Sequence, residues 1–210
     1  MKSINLSSVA VLATIALISC GEGNHESHDQ DGEMSQTEET VQGEAVSSNI
    51  NIDASSVMWE GEMLGLYSHN GTVSFTKGNL EVSGNKVTGG SFTIDMTSIH
   101  PTDENYDPAK ESTPEKLVGH LSSPDFFDVA NHPTSTFNIT GGNGTSVQGN
   151  LTLRGVTHEE VVENVSFDSN TNTWTGDMTV DRKKYDVSFD MPVADKVLSD
   201  DLVLKINLSL

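Results

Sequence analysis

The sequence predicts an all-β fold of antiparallel strands with one short helical insertion, and three observations predict it. First, apolar and polar residues alternate with a period of two along most of the chain beyond residue 50. In Gly149-Asn150-Leu151-Thr152-Leu153-Arg154 the leucines share one side, and Asn150, Thr152 and Arg154 take the other. Second, the alternating stretches are separated by short turn signals: Ser83-Gly84-Asn85, Gly141-Gly142-Asn143-Gly144, and Asp168-Ser169-Asn170-Thr171-Asn172. Such connections join neighbours in sequence order as a meander. Third, no long amphipathic helix is present to cover an open sheet. The one-sided strands must therefore cover each other, as a sandwich or as a sheet closed on itself.

Taken in order, residues 1–19 read as a cleaved signal. Lys2 supplies a positive start, and Val9 to Ile18 is apolar except for Thr14, too short to span a bilayer. The run ends in Leu17-Ile18-Ser19-Cys20-Gly21, which resembles the lipobox of bacterial lipoproteins, where cleavage precedes the cysteine and the thiol carries a diacylglycerol. The alternative is a chance cysteine in a leader. A small-residue site directly after the apolar core favours a lipid anchor at Cys20. Cys20 is the only cysteine, so no internal disulfide can form. It has no nearby base or second thiol to support a redox or nucleophilic role. Several acyl chains on one residue would hold the protein on a membrane stably.

Residues 20–49 read as the lipidated cysteine followed by an acidic tether. The stretch is Glu, Asp, Gln, Ser and Gly with almost no large apolar residue and no Lys or Arg, too little apolar surface to offset its ordering entropy. As a flexible coil it would reach on the order of 30 Å. His25 and His28 lie in it without fixed geometry, which suits solvated side chains better than a metal site.

Residues 50–210 are the size of one domain. Phe92, Ile94 and Met96 oppose Ser91, Thr93 and Asp95; Phe137 and Ile139 oppose Thr136, Asn138 and Thr140. Val165 and Phe167 oppose Asn164 and Ser166; Trp174, Gly176, Met178 and Val180 oppose Thr175, Asp177, Thr179 and Asp181; Leu204, Ile206 and Leu208 oppose Val203, Lys205 and Asn207. The exception is residues 97–134. There Thr113-Pro114-Glu115 reads as N-cap, first-turn proline and first-turn acid of a short helix whose apolar side is Leu117, Val118 and Leu121. A second turn starts at Pro124 and carries Phe126 and Phe127, which point about a third of a turn apart on a helix and so cannot both enter one narrow contact. The insertion reads either as a lid across one end or as a surface excursion with its own small core.

These residues are similar in order and spacing to the YceI-like family. The resemblance rests on Trp59, His69-Asn70-Gly71 with Gly78, Gly90 to Met96, His120-Leu121-Ser122-Ser123-Pro124-Asp125-Phe126-Phe127-Asp128, Pro133 to Phe137, Gly149 to Thr157, and Asp181-Arg182. It covers nearly the whole domain. It implies an extended, lipocalin-like antiparallel β-barrel of about eight strands, in secreted or periplasmic bacterial proteins that hold long amphiphilic isoprenoids or similar lipids. One departure stands out: after Arg182 the family usually continues with an aromatic and a glycine, whereas Lys183-Lys184-Tyr185-Asp186 lacks the glycine.

If the apolar faces turn inward, alternation places Phe92, Ile94, Phe137, Leu151, Leu153, Val165, Phe167, Trp174, Met178, Leu204 and Ile206 around the lumen. The expected ligand contacts are Phe92, Ile94, Phe137, Leu151, Leu153, Phe167, Trp174 and Met178, with Arg182 at a strand end as a head-group contact or a structural hydrogen-bonding arginine. A lumen filled by its own side chains is the alternative, but Gly149, Gly155 and Gly176 on the inward parity favour open space. Asp95 and Arg154, on the outward parity, read as wall or loop-fixing residues, and His69 as fixing a turn or edge.

No catalytic or metal-ligating set emerges, and no cofactor is expected. There is no Gly-x-Ser-x-Gly elbow, His158-Glu159-Glu160-Val161-Val162 lacks the second histidine of a zinc helix, and no Gly-rich phosphate loop precedes a helix. A net charge of −20 argues against nucleic acid, whose binding needs Lys and Arg to replace counterions. The expected partners are an amphiphilic lipid and, through the anchor, a membrane, with pairing of two barrels into a homodimer left open. The expected location is the bacterial cell envelope, facing periplasm or cell surface. A barrel with a filled core, serving as an interaction or envelope-stress module, is the competing function.

Overall fold

The computed structural model describes residues 44–110, 112–189 and 197–210. The signal, Cys20, His25 and His28 lie outside the described residues. The elements are β1 (Val46–Asn49), β2 (Ser56–Met63), β3 (Tyr67–Ser83), β4 (Lys86–Pro101), α1 (Pro114–Ser122), β5 (Thr134–Gly142), β6 (Val147–Leu153), β7 (Val156–Asp168), β8 (Thr173–Asp181) and β9 (Leu198–Ser209). Every pairing is antiparallel, in the order β1-β3-β2-β9-β8-β7-β6-β5-β4, and β3 also pairs with β4. That last pairing decides between sandwich and closed sheet. β2 to β9 form a closed eight-stranded barrel, and β1 is an extra strand on β3 through Val46↔Val82 to Asn49↔Asn79. β1 therefore lies within the stretch expected to be tether.

Register shows why the alternating pattern closes the sheet. Gly78, Phe92, Phe137 and Leu151 are successive cross-strand partners from β3 to β6, so one row of inward residues runs along this part of the wall. Cross-strand partners point to the same face, and each large apolar side chain buried this way contributes about 1.5–3 kcal/mol. Between Trp59 and Gly71, partners on β2 and β3, only glycine fits: a Cβ at Gly71 would overlap the His100 carbonyl oxygen and lie 2.5 Å from the Trp59 ring. The indole N–H of Trp59 donates to the Thr72 carbonyl at 3.3 Å.

β7 departs from simple alternation. Its register to β8 shifts between Glu163 and Ser166, and Asn164 takes a positive φ of 53°. The extra residue resets the parity, so Val162 and Val165 both reach the interior.

The β2–β3 turn, the β4–β5 insertion, the β6–β7 turn and the β8–β9 connection all lie at one end of the barrel, called the upper end below. α1 starts as its sequence predicts: Pro114 occupies the first turn and the Lys116 N–H donates to Thr113 Oγ1 at 3.3 Å. Beyond it the chain forms turns, held by Phe127 N–H to the Leu121 carbonyl at 3.1 Å and Asp128 N–H to the Ser123 carbonyl at 2.8 Å. That corrects the reading of Phe126 and Phe127 as mutually exclusive. Off a helix, both are buried and meet edge to face, with centroids 4.7 Å apart.

Candidate functional site

Inside the barrel is a cavity of about 370 Å³, walled by residues from all eight barrel strands. Leu117, His120 and Leu121 of α1, with Phe126 and Phe127, also line it, so the insertion is a lid across the upper end rather than an excursion with its own core. Tyr67, at this end of the cavity wall, is 40% exposed.

Seven of the nine residues expected to contact a ligand stand in the wall: Phe92, Ile94, Phe137, Leu151, Leu153, Trp174 and Met178. Phe167 does not. It is the register partner of Trp174 at the lower end, where its ring stacks on the indole at 4.8 Å and stays 36% exposed, so it covers the end of the wall instead of lining it. Arg182 does not face the cavity either, because the strand ends at Asp181 and a short 3-10 turn over Arg182–Tyr185 carries the side chain away. Its Nη1 donates to the Val187 carbonyl at 2.7 Å, its Nε to the Ser199 carbonyl at 3.0 Å, and its Nη2 to Asp200 Oδ1 at 3.1 Å. It is a buried clasp on the β8–β9 connection. Asp186 closes this turn at φ 59°, taking in this chain the left-handed conformation that a glycine adopts most readily.

The inward glycines do not hold the space open. A Cβ on Gly149 would lie 2.5 Å from Phe137 Cζ and one on Gly176 2.5 Å from Val162 Cγ1; these glycines seat neighbouring side chains. Gly155 sits in the β6–β7 turn at φ 77°. The open volume comes from the girth of eight strands and the lid. Asp95 and Arg154 tie down loops. Asp95 Oδ1 accepts from Thr97 N–H at 2.9 Å, and the Arg154 guanidinium donates to the Pro124 carbonyl at 2.7 Å and to the Asp186 carbonyl, joining lid to β8–β9 connection.

The wall is almost wholly apolar. Among the described residues its polar members are Tyr67, His69, His120, Ser135 and Thr175, besides the indole nitrogens, and it contains no Lys, Arg, Asp or Glu. Ser135 Oγ is already used, donating to the Thr152 carbonyl at 2.7 Å. The Trp174 Nε1–H is buried without a partner.

Two histidines mark the upper end. His69 Nδ1 lies 3.0 Å from Asp103 Oδ1, and its ring stacks on Tyr106 with centroids 5.0 Å apart and meets Tyr67 edge-on at 5.2 Å. Asp103 also accepts from the N–H groups of Asn70 and Asn105 and from the Tyr106 hydroxyl. Burial works to raise its pKa, but the Asn105 N–H, the His69 ring and the Asn70 N–H together outweigh that and hold the carboxyl below its ordinary value. Tyr106 is pushed up to about 12 by burial and by the Asp103 charge. Sequence reasoning found His69 but missed this partner, because Asp103 is 34 residues away in the irregular start of the insertion. His120 packs edge-on against Phe126 and Phe189, at 5.4 and 4.4 Å. Burial holds its pKa down, with Asp125 opposing.

A second buried polar pair, Tyr185 and Glu160, lies on the inner side of β7 but outside the cavity. Tyr185 Oη donates to Glu160 Oε1 at 3.0 Å, and Lys184 Nζ stands 3.6 Å from the same oxygen. Burial, then Glu160, raises the Tyr185 pKa, and the hydrogen bond fastens the 3-10 turn to β7. No cluster of three or more metal-ligating side chains occurs among the described residues.

A family model described as the YceI-like domain matches residues 29–210. Over 62 residues the chain is 39% identical to a UPF0312 protein of Azotobacter vinelandii, a stretch covering 27% of this chain and 32% of that one. The match thus spans about a third of that relative's length. Among solved structures, BcnA of Burkholderia cenocepacia aligns with a TM-score of 0.57 at 19% identity, covering 76% of this chain and 98% of that one. A polyisoprenoid binding domain from Saccharophagus degradans aligns with a TM-score of 0.47 at 13% identity, over 76% and 95%. The likeness to BcnA is one of fold.

Proposed function

The chain belongs to the YceI-like domain family, and from that premise we propose that its barrel holds a long amphiphilic lipid, of the isoprenoid or isoprenoid-quinone type, without changing it chemically. The observation that carries this reading is the apolar, uncharged cavity of about 370 Å³ running inside the barrel under a lid. Its volume falls in the range of small-molecule sites. About ten buried methylenes at ~0.8 kcal/mol each give roughly 8 kcal/mol gross, from which ordering takes several. Affinity should therefore grow with chain length. The isoprenoid class comes from the sequence resemblance. A filled-core interaction module is less well supported, because the core is not filled.

The lipidated Cys20 would hold this carrier on a membrane of the bacterial envelope, the tether leaving the barrel free to exchange its ligand. This part rests on the sequence of residues 1–49. No helix among the described residues is long and apolar enough to cross a membrane. Cys20→Ser should move the protein from the membrane to the soluble fraction; an unchanged distribution contradicts the anchor.

The carrier reading is tested by uptake of a neutral apolar fluorophore, N-phenyl-1-naphthylamine, into purified protein. Uptake should disappear on filling the lumen with Ile94→Trp or charging it with Leu151→Glu, circular dichroism showing the barrel intact. Equal uptake by a folded variant counts against the lumen as the site.

A further inference from the structure

The polar groups at the upper end specify the head of the ligand, an inference that rests on the carrier reading. The wall contains no Lys or Arg among the described residues. The chain's only arginines stand outside the wall: Arg154 donates both Nη groups to backbone carbonyls, its Nε buried without a partner, and Arg182 donates to two backbone carbonyls and Asp200. Lys183 pairs with Asp200 at 2.9 Å, and Lys184 stands beside Glu160. A phosphate or carboxylate drawn into this lumen would lose its hydration with no positive group to replace it. It would also approach the Asp103 carboxylate behind His69.

His69 is organised to accept a hydrogen bond. Four donors converge on the two oxygens of Asp103: His69 Nδ1, Asn70 N–H, Asn105 N–H and Tyr106 Oη. A carboxylate taking four donors is acceptor-only, so the proton of a neutral His69 sits on Nδ1 and Nε2 presents a lone pair. Tyr106 on one face and Tyr67 at the edge fix the ring plane. Among the described residues Nε2 has no hydrogen-bond partner, and His69 is part of the cavity wall with its side chain 18% exposed.

We infer that the barrel selects an uncharged lipid whose head carries a hydrogen-bond donor, held by His69 Nε2 at the upper end, and discriminates against anionic heads. Within the isoprenoid class this favours an alcohol or a quinol over a quinone, a phosphate or an acid. His69 is then a specificity residue, and Asp103 the positioning residue behind it.

The test is competition against bound N-phenyl-1-naphthylamine at neutral pH by four compounds of one chain length: hexadecanol, hexadecyl methyl ether, hexadecanoate and hexadecyl phosphate. Hexadecanol should displace the probe at about one-tenth the concentration needed for ether, acid or phosphate. His69→Phe keeps a ring between Tyr67 and Tyr106 and should bring hexadecanol down to the ether while leaving the ether unchanged. Equal wild-type affinity for alcohol and ether, or tighter binding of the phosphate or acid, overturns the inference and leaves the carrier reading standing. If neither fluorophore nor any competitor binds, both fall. The wild-type comparison decides the matter even if the variant fails to fold.

Discussion

Replacing Gly149 by alanine places a methyl group 2.5 Å from Phe137 Cζ and 2.7 Å from the Asn138 carbonyl oxygen. The backbone oxygen cannot yield, and the ring can tilt only toward the cavity. The oxygen belongs to β5, whose ladder to β6 is fixed by Asn138↔Asn150 and Ile139↔Gly149, and the Phe137 ring forms part of the cavity wall. Overpacking of this kind costs about 1–3 kcal/mol. The more restricted unfolded chain returns ~0.4–1 kcal/mol, which leaves a net loss of roughly 1–2 kcal/mol. Urea denaturation of Gly149→Ala, Phe137→Leu and the double variant measures it. Because the shorter leucine vacates the ring position, the double variant should show a favourable coupling of about 0.5–1.5 kcal/mol. A Gly149→Ala protein as stable as the parent, or more stable, would refute the reasoning and mean that glycine here faces open lumen.

Two further outcomes follow from buried groups. Arg182→Lys keeps the charge but cannot reproduce three divergent hydrogen bonds. With the Val187 and Ser199 carbonyls left unpaired it should lose about 3 kcal/mol in urea denaturation, while fluorophore uptake per folded molecule is unchanged; a loss below ~1 kcal/mol contradicts the clasp. His120 is a base whose pKa is lowered in the folded protein, chiefly by burial, so the unfolded or opened state takes up its proton first. The lid's packing is then intact above the ordinary value of 6.5 and weakens as the pH falls through 6.5 toward the lower folded value. After correction for intrinsic rates, amide exchange in α1 should accelerate on acidification through that window in the parent and not in His120→Phe. The same acceleration in both would assign the effect elsewhere.

The barrel was legible because its strands are one-sided and its turns short, and alternation alone put Phe92, Phe137, Leu151 and Met178 on the correct face. It failed where the backbone departs from alternation or stops. Phe167 keeps the inward parity but lies past the end of the cavity, and Arg182 follows the last residue of β8, where parity no longer predicts direction. The glycines were misread because period two says which face a residue occupies, not what stands in front of it. Phe137 and Val162 already fill those places. The His69–Asp103–Tyr106 cluster was illegible because it joins a strand to an irregular segment that no periodicity describes.

Native mass spectrometry of the Cys20→Ser protein, purified from a bacterial host without detergent and followed by solvent extraction of whatever it releases, tests the central claim most directly. The account predicts one hydrophobic ligand per chain, uncharged, with a hydroxyl-bearing head, absent from Leu151→Glu. A chain that is consistently empty and also refuses added isoprenoid alcohols would contradict it.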